Sequence, residues 1–188
     1  MLVSKHLWFL ALIFMAGVII ISNVAVTKPV FGPDHAWHGY FNYGQFTFPI
    51  AFLITDIVNR LLGAPRARQL AFLAFAIAIP ASVLATKISG EVWILAGRIG
   101  LASGLAFLVG QLLDVSIFQR LRYQVWWLAP FVSSLLASLV DTWIFYAAAF
   151  AGSGDWWFVQ AWIDYGVKVI VALAALLPFR LAIVRQIS

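Results

Sequence analysis

Long apolar runs separated by short polar stretches recur six times along the chain. A membrane-crossing helix needs about 20 mostly apolar residues. The runs therefore predict spans over about 7–26, 45–62, 69–87, 92–115, 127–150 and 161–183. They are too long, and too uniformly apolar, to be the alternating strands of a closed barrel. The expected architecture is an all-α integral membrane protein, a bundle of six transmembrane helices forming one domain over 1–188. Pro80 interrupts the third run. The longest connection, 27–44, carries Pro29, Gly32, Pro33 and Gly39, which break any regular element there.

Composition strengthens this reading. The 188 residues are 64% hydrophobic and only 10% charged, against about 25% charged in a soluble domain. There is too little polar surface to cover a globule in water. With no cysteine, disulfides, thiolate catalysis and thiolate metal sites are excluded. The net charge of +5 does not point to nucleic acid, because the basic residues recur at the ends of apolar runs rather than on one surface.

Those basic residues set an orientation through the Lys/Arg bias of cytoplasmic loops. Lys5, Arg60, Arg66, Arg68, Arg120, Arg122, Arg180 and Arg185 fall on one side; the other has only Lys28 and Lys87. Both termini are expected in the cytoplasm, with 27–44, 88–91 and 151–160 facing outward. The N-terminal run exceeds the 7–15 apolar residues of a signal peptide and is expected to remain. Trp126, Trp127, Trp156, Trp157 and Trp162 lie near span ends, as an interfacial aromatic belt would.

Six charged residues fall inside the apolar runs: Asp56, Asp114, Asp141, Asp164, Arg98 and Lys168. Each costs roughly 2.5–3.5 kcal/mol at the centre of a membrane helix, so they are expected to face a protein interior. Asp56, Asn59 and Arg60 share one helix face; a local Asp56–Arg60 pair competes with a role for Asp56 in a cavity below Pro49. Ser134, Ser138 and Asp141 form a polar stripe that either glues helices together or lines a path. Asp164 and Lys168 have the i, i+4 spacing of a structural pair, although Lys168 lies deeper. Arg98 either snorkels outward or pairs with an aspartate. Gln111 and Asp114 share a face, with Asp114 expected near the cytoplasmic interface. Ser22 and Asn23 add neutral hydrogen-bonding groups near the outer end of the first span. Gly100 and Gly104 have the small-x-x-x-small spacing that admits a close helix neighbour. A protonatable aspartate in the path would suit proton coupling; transport indifferent to pH and to uncouplers would exclude it.

The polar positions also form a wider pattern. FTFPIAFLITDIVNRLLGAPRAR at 46–68, GRIGLAS at 97–103, GQLLDVSIFQRLR at 110–122, WWLAP at 126–130, Asp141-Thr142 and DYGVKV at 164–169 occur in that order. Together they resemble the queuosine precursor transporter family, which is grouped with vitamin uptake transporters. The match runs from Ser22-Asn23 to Pro178 and is weakest in the outer loop. The resemblance implies a six-helix protein of the bacterial inner membrane. It implies import of deazaguanine precursors of the tRNA nucleoside queuosine: the cyano- and aminomethyl-deazaguanines or the queuine base. The family resembles, in turn, the substrate-capturing subunits of energy-coupling-factor transporters.

Such a base suits the residues present. Its N–H edge can donate to a carboxylate, its carbonyl can accept from Arg, Lys, Asn or Gln, and its face can stack on Phe46, Phe48, Phe52 or Trp143. Asp56 and Asp141 are the leading candidates for substrate binding or coupling, followed by Asn23, Gln111, Arg98 and Lys168. Arg60, Asp164 and Asp114 are the candidates for structural ion pairs.

Other classes fit less well. The chain has no G-x-S-x-G, no H-E-x-x-H and no P-loop, and TDIVNRLLGAPRAR holds only one carboxylate where metal-assisted phosphoryl transfer needs more. No enzyme activity, cofactor or metal is expected, and His35 and His38 read as ordinary loop residues. A scaffold would not need carboxylates within its spans. The expected partners are the lipid bilayer and a small deazapurine. The alternative is a membrane subunit that binds another vitamin- or nucleobase-like solute and is energised by a separate ATPase; a homo-oligomer is also compatible.

Overall fold

The computed structural model describes residues 2–152, 154 and 156–184, with side chains described from His6 to Ile183. Among the described residues the only regular elements are helices: α1 Leu2–Ala25, α2 Tyr43–Thr47, α3 Pro49–Leu62, α4 Ala64–Ile88, α5 Trp93–Leu121, α6 Leu128–Phe150 and α7 Trp156–Val184. Five are long and apolar enough to cross a membrane: α1 over His6–Ala25, α4, α5, α6, and α7 over Trp156–Ile183. The side chain of Lys5 and the whole of Arg185, both used in the orientation argument, lie outside the described residues.

The run predicted as one span over 45–62 is broken in two. Pro49 begins α3 and has no N–H to give the carbonyl of Gln45. Phe48 keeps helical angles, φ −55° and ψ −40°, so the chain bends without leaving helical conformation. The 14 residues of α3 reach only about 21 Å at 1.5 Å per residue, less than the roughly 30 Å hydrocarbon core.

α3 and α4 meet at a single residue. Gly63 adopts φ 87° and ψ 165°, a region closed to side chains with a Cβ, and Pro65 sits in the first turn of α4, where a missing N–H costs nothing. The bundle packs as α4 on α5, α5 on α6 and α6 on α7, with α1 against α4 and α3 bridging α4 and α7. One core gathers Met15, Ile19, Val58, Leu70 and Phe107; a smaller one joins Phe118 and Phe179. Large apolar side chains elsewhere point outward, such as Ile13, Phe14, Ile94, Ile170 and Leu177. In water that surface would aggregate; in lipid it is the expected solvent-facing side, so this is a multi-pass membrane protein.

The basic residues collect at one end. Arg60 Nη1 donates to the carbonyl of Arg122 at 2.6 Å, and Arg122 Nη2 donates back to that of Arg60 at 3.3 Å. Arg180 stacks over Trp126 and Arg66 over Trp8. At the opposite end the 26–43 loop folds back on itself, with Val30 N donating to Phe41 O at 2.9 Å. His35 stacks on Phe31 and His38 bonds the Phe31 carbonyl, so both histidines hold the loop together.

α2 seals that end against α1. A Cβ on Gly44 would come within 2.8 Å of the Val26 Cα. Gly44→Ala is therefore expected to push α2 off the end of α1 and destabilise the protein by about 1–3 kcal/mol, read as a lowered melting temperature in detergent.

Candidate functional site

The half of the bundle away from the Arg-rich end holds a pocket of about 700 Å³, counting its mouth. Its floor is a charge cluster that binds α6 to α7. Lys168 is 6% exposed and Asp164 5%. The Lys168 Nζ lies 2.8 Å from Asp141 Oδ2, 2.9 Å from Asp164 Oδ2 and 2.8 Å from Thr142 Oγ1. An ammonium has three N–H groups, and all three are matched. The i, i+4 pair read from the sequence is thus formed, but it is half of a bridge to Asp141. Thr142 also donates to Asp164 Oδ2 at 3.3 Å. Both carboxylates face Lys168 through Oδ2, leaving the other oxygen of each uncommitted to it.

Above the floor, the pocket wall is aromatic and amide-rich. Phe48, Phe52, Phe107, Phe145 and Tyr146 contribute rings. Phe46 and Trp143, the other rings expected to stack, do not line it; Trp143 packs instead with Trp157, Phe158 and Trp162. Asn23 reaches the pocket while donating from Nδ2 to the Ile19 carbonyl at 2.9 Å, so its own carbonyl oxygen is not used by that bond. Asn42 and Gln45 form a capping box at the start of α2, closing both N–H groups in a reciprocal pair. Gln45 and Gln160 both donate to the Tyr40 carbonyl, at 3.2 and 2.7 Å, which ties the 26–43 loop to α2 and α7. None of Asn42, Gln45, Tyr146 or Gln160 was singled out from sequence. The Asn-x-x-Gln spacing at 42–45 is the signal that could have found the first two.

A second polar cluster lies toward the basic end. Asp56, 2% exposed, accepts from Ser133 at 3.4 Å and Ser134 at 3.3 Å. The expected Asp56–Arg60 pair is not formed, because Arg60 is drawn to the Arg122 backbone. Asp114 lies beside Asp56 and Ser133. It is fully buried rather than at the interface, with its carboxyl group in side-chain hydrogen-bonding reach of Asp56 and Ser133. Among the described residues neither aspartate has a cation partner, so Asp114 is no structural ion pair. Gln111, also fully buried, accepts from Thr55 and does not line the pocket. Ser22 is buried with no partner for its hydroxyl. Arg98 does not meet an aspartate: exposed, it caps the end of α6, donating to the carbonyls of Ala148 and Ala151 at 3.0 Å each, groups left open at a helix C-terminus.

The pocket thus has carboxylate acceptors at the bottom, rings on the wall and amides at the mouth, the mix of apolar wall and a few polar groups usual in small-molecule sites. The family described as "Putative vitamin uptake transporter" matches residues 42–183. The "Queuosine precursor transporter" of Escherichia coli strain K12 is 36% identical over 93% of this chain and 84% of its own length. The "Probable queuosine precursor transporter" of Haemophilus influenzae is 33% identical over 77% of the chain and 68% of its own length, and that of Bacillus subtilis strain 168 is 28% identical over 77% and 72%. No solved structure matches the chain significantly.

Proposed function

We propose, since the chain belongs to the family of queuosine precursor and vitamin uptake transporters, that it imports 7-deazaguanine bases for tRNA modification salvage. The substrates are cyano- or aminomethyl-deazaguanine, or queuine. The observation that carries this reading is the Asp141–Lys168–Asp164 floor under an aromatic wall at membrane depth. Carboxylate oxygens not used by Lys168 accept the N–H edge of the base, and the Phe52 and Phe145 rings cover its face. A site built to hydrogen-bond such an edge rejects analogues that lack it far more strongly than an apolar slot could.

In this reading α2 and α3 together make a sixth span, bent at Pro49. The chain is a single transport domain in the inner membrane of a bacterium, with the Arg-rich end and both termini in the cytoplasm and the pocket mouth outward. It is a carrier rather than an enzyme. Asp56 and Asp114, without a cation partner among the described residues, are the coupling carboxyls; uptake indifferent to pH and to uncouplers removes that role.

Uptake of labelled deazaguanine in cells lacking other importers tests the assignment. Asp141→Asn and Asp56→Asn are each expected to reduce uptake to background while the protein remains in the membrane. Wild-type uptake by both variants discards the two assignments.

A further inference from the structure

The charges around the pocket do not balance. Among the described residues its charged lining side chains are Asp141, Asp164 and Lys168 alone: two carboxylates against one ammonium. Lys168 spends its three N–H groups on Asp141, Asp164 and Thr142, at 2.8, 2.9 and 2.8 Å, and keeps none for a solute. The floor therefore offers acceptor oxygens and one surplus negative charge. Arg98 and Lys87 do not enter the pocket. Arg98 donates to the Ala148 and Ala151 carbonyls, while Lys87 donates to the Glu91 carbonyl and lies over the Trp93 ring.

The rest of the lining does not supply the missing positive charge. Its other polar side chains are amides and hydroxyls, such as Asn23, Gln45, Thr86 and Ser103. Asp164 is 5% exposed and Lys168 6%, so salt and water screen the floor poorly. A buried charge without a partner is costly. The rings of Phe48, Phe52 and Phe145 on the wall present faces that attract a cation.

We infer that the pocket selects its solute by charge, holding a base with a cationic side arm, such as the aminomethyl group, in preference to a neutral base of the same shape. The inference rests on the transport reading above and names the members of that substrate class that the site prefers. A primary amine is protonated at neutral pH, as a lysine is, whereas a cyano group is neutral. Coulomb attraction falls only as the inverse of distance. The surplus charge thus favours the cation whether its ammonium or its N–H edge meets the carboxylates. Where the ammonium itself reaches a carboxylate oxygen that Lys168 does not use, a charge-assisted hydrogen bond adds to the attraction. A neutral base makes its hydrogen bonds and leaves the surplus charge unmatched.

Equilibrium binding to the purified full chain in detergent, at neutral pH, tests this with three bases: aminomethyl-, cyano- and hydroxymethyl-deazaguanine. The hydroxymethyl group matches the aminomethyl group in size and can hydrogen-bond, but carries no charge. The aminomethyl base is expected to bind at least about tenfold tighter than either neutral base, the low end for close charge pairs at a binding site. Asp164→Asn keeps an acceptor oxygen and leaves Asp141 and Lys168 to balance each other. It is expected to remove most of the preference, by weakening the aminomethyl base while leaving the two neutral bases little changed.

Equal affinity of the unaltered protein for the aminomethyl and hydroxymethyl bases, or tighter binding of a neutral one, overturns the inference; that comparison needs no variant to fold. So does Asp164→Asn protein that melts with the parent and keeps the full preference. Binding of all three bases alike sinks this inference alone, whereas binding of none sinks the transport reading and the inference with it.

Discussion

Lys168→Met abolishes uptake and destabilises the protein, the largest single effect expected here. The substitution keeps length and apolar stem but removes the charge that holds Asp141 and Asp164, both within 2.9 Å of the Nζ. It leaves two carboxylates close together with no cation between them. Breaking a buried pair by removing one partner costs about 3–5 kcal/mol, so the melting temperature should fall clearly in detergent. The triple change Lys168→Met, Asp141→Asn, Asp164→Asn should recover most of that stability, because no uncompensated charge remains, yet recover no uptake. Stability that does not return would mean that the floor is held by packing rather than charge. Transport by the triple variant would remove the floor from the mechanism.

The second large effect comes from the seam between α4 and α5. A Cβ on Gly100 would meet Val83 Cγ2 at 2.3 Å and the Val83 backbone N at 3.2 Å; one on Gly104 would meet Ile79 Cγ1 at 2.3 Å. Without a hydrophobic force between helices in lipid, such contacts carry much of the association. Each overpacking costs about 1–3 kcal/mol. Gly100→Val with Gly104→Val is expected to prise the helices apart, since the second change cannot relieve the first. The seam also carries Ser82 and Thr86 of α4 and Ser103 of α5 into the pocket wall, so uptake should fall with stability. A double variant that melts with the parent would show that the helices are held elsewhere.

Much of this was legible in the order of residues. Five of the six apolar runs became single long helices, because hydropathy and length decide membrane helices almost alone. The 45–62 run did not, for the local reason that Pro49 breaks the hydrogen-bond ladder. The Gly100–Gly104 spacing gave the close helix contact. The Ser134–Ser138–Asp141 stripe and the Asp164–Lys168 spacing each lie along one helix, where periodicity shows which residues share a face.

Periodicity does not show which helix that face meets. Lys168 reaching Asp141 across 27 residues, Arg60 choosing a backbone carbonyl over Asp56, and Arg98 capping α6 all depend on that neighbour. Asp114 was misplaced for the same reason: distance from a span end measures depth, whereas burial depends on the helix packed against it. The Gln45 and Gln160 clamp on Tyr40 ties α2 and α7 to a loop with no period at all.

The most direct measurement uses the purified chain alone, reconstituted in proteoliposomes and offered labelled 7-deazaguanine bases. Saturable entry that Asp141→Asn removes is the predicted result. Binding without entry would instead fit a capture subunit that needs an ATP-driven partner, leaving the pocket but not the carrier. Protein that neither binds nor admits any of these bases contradicts the account.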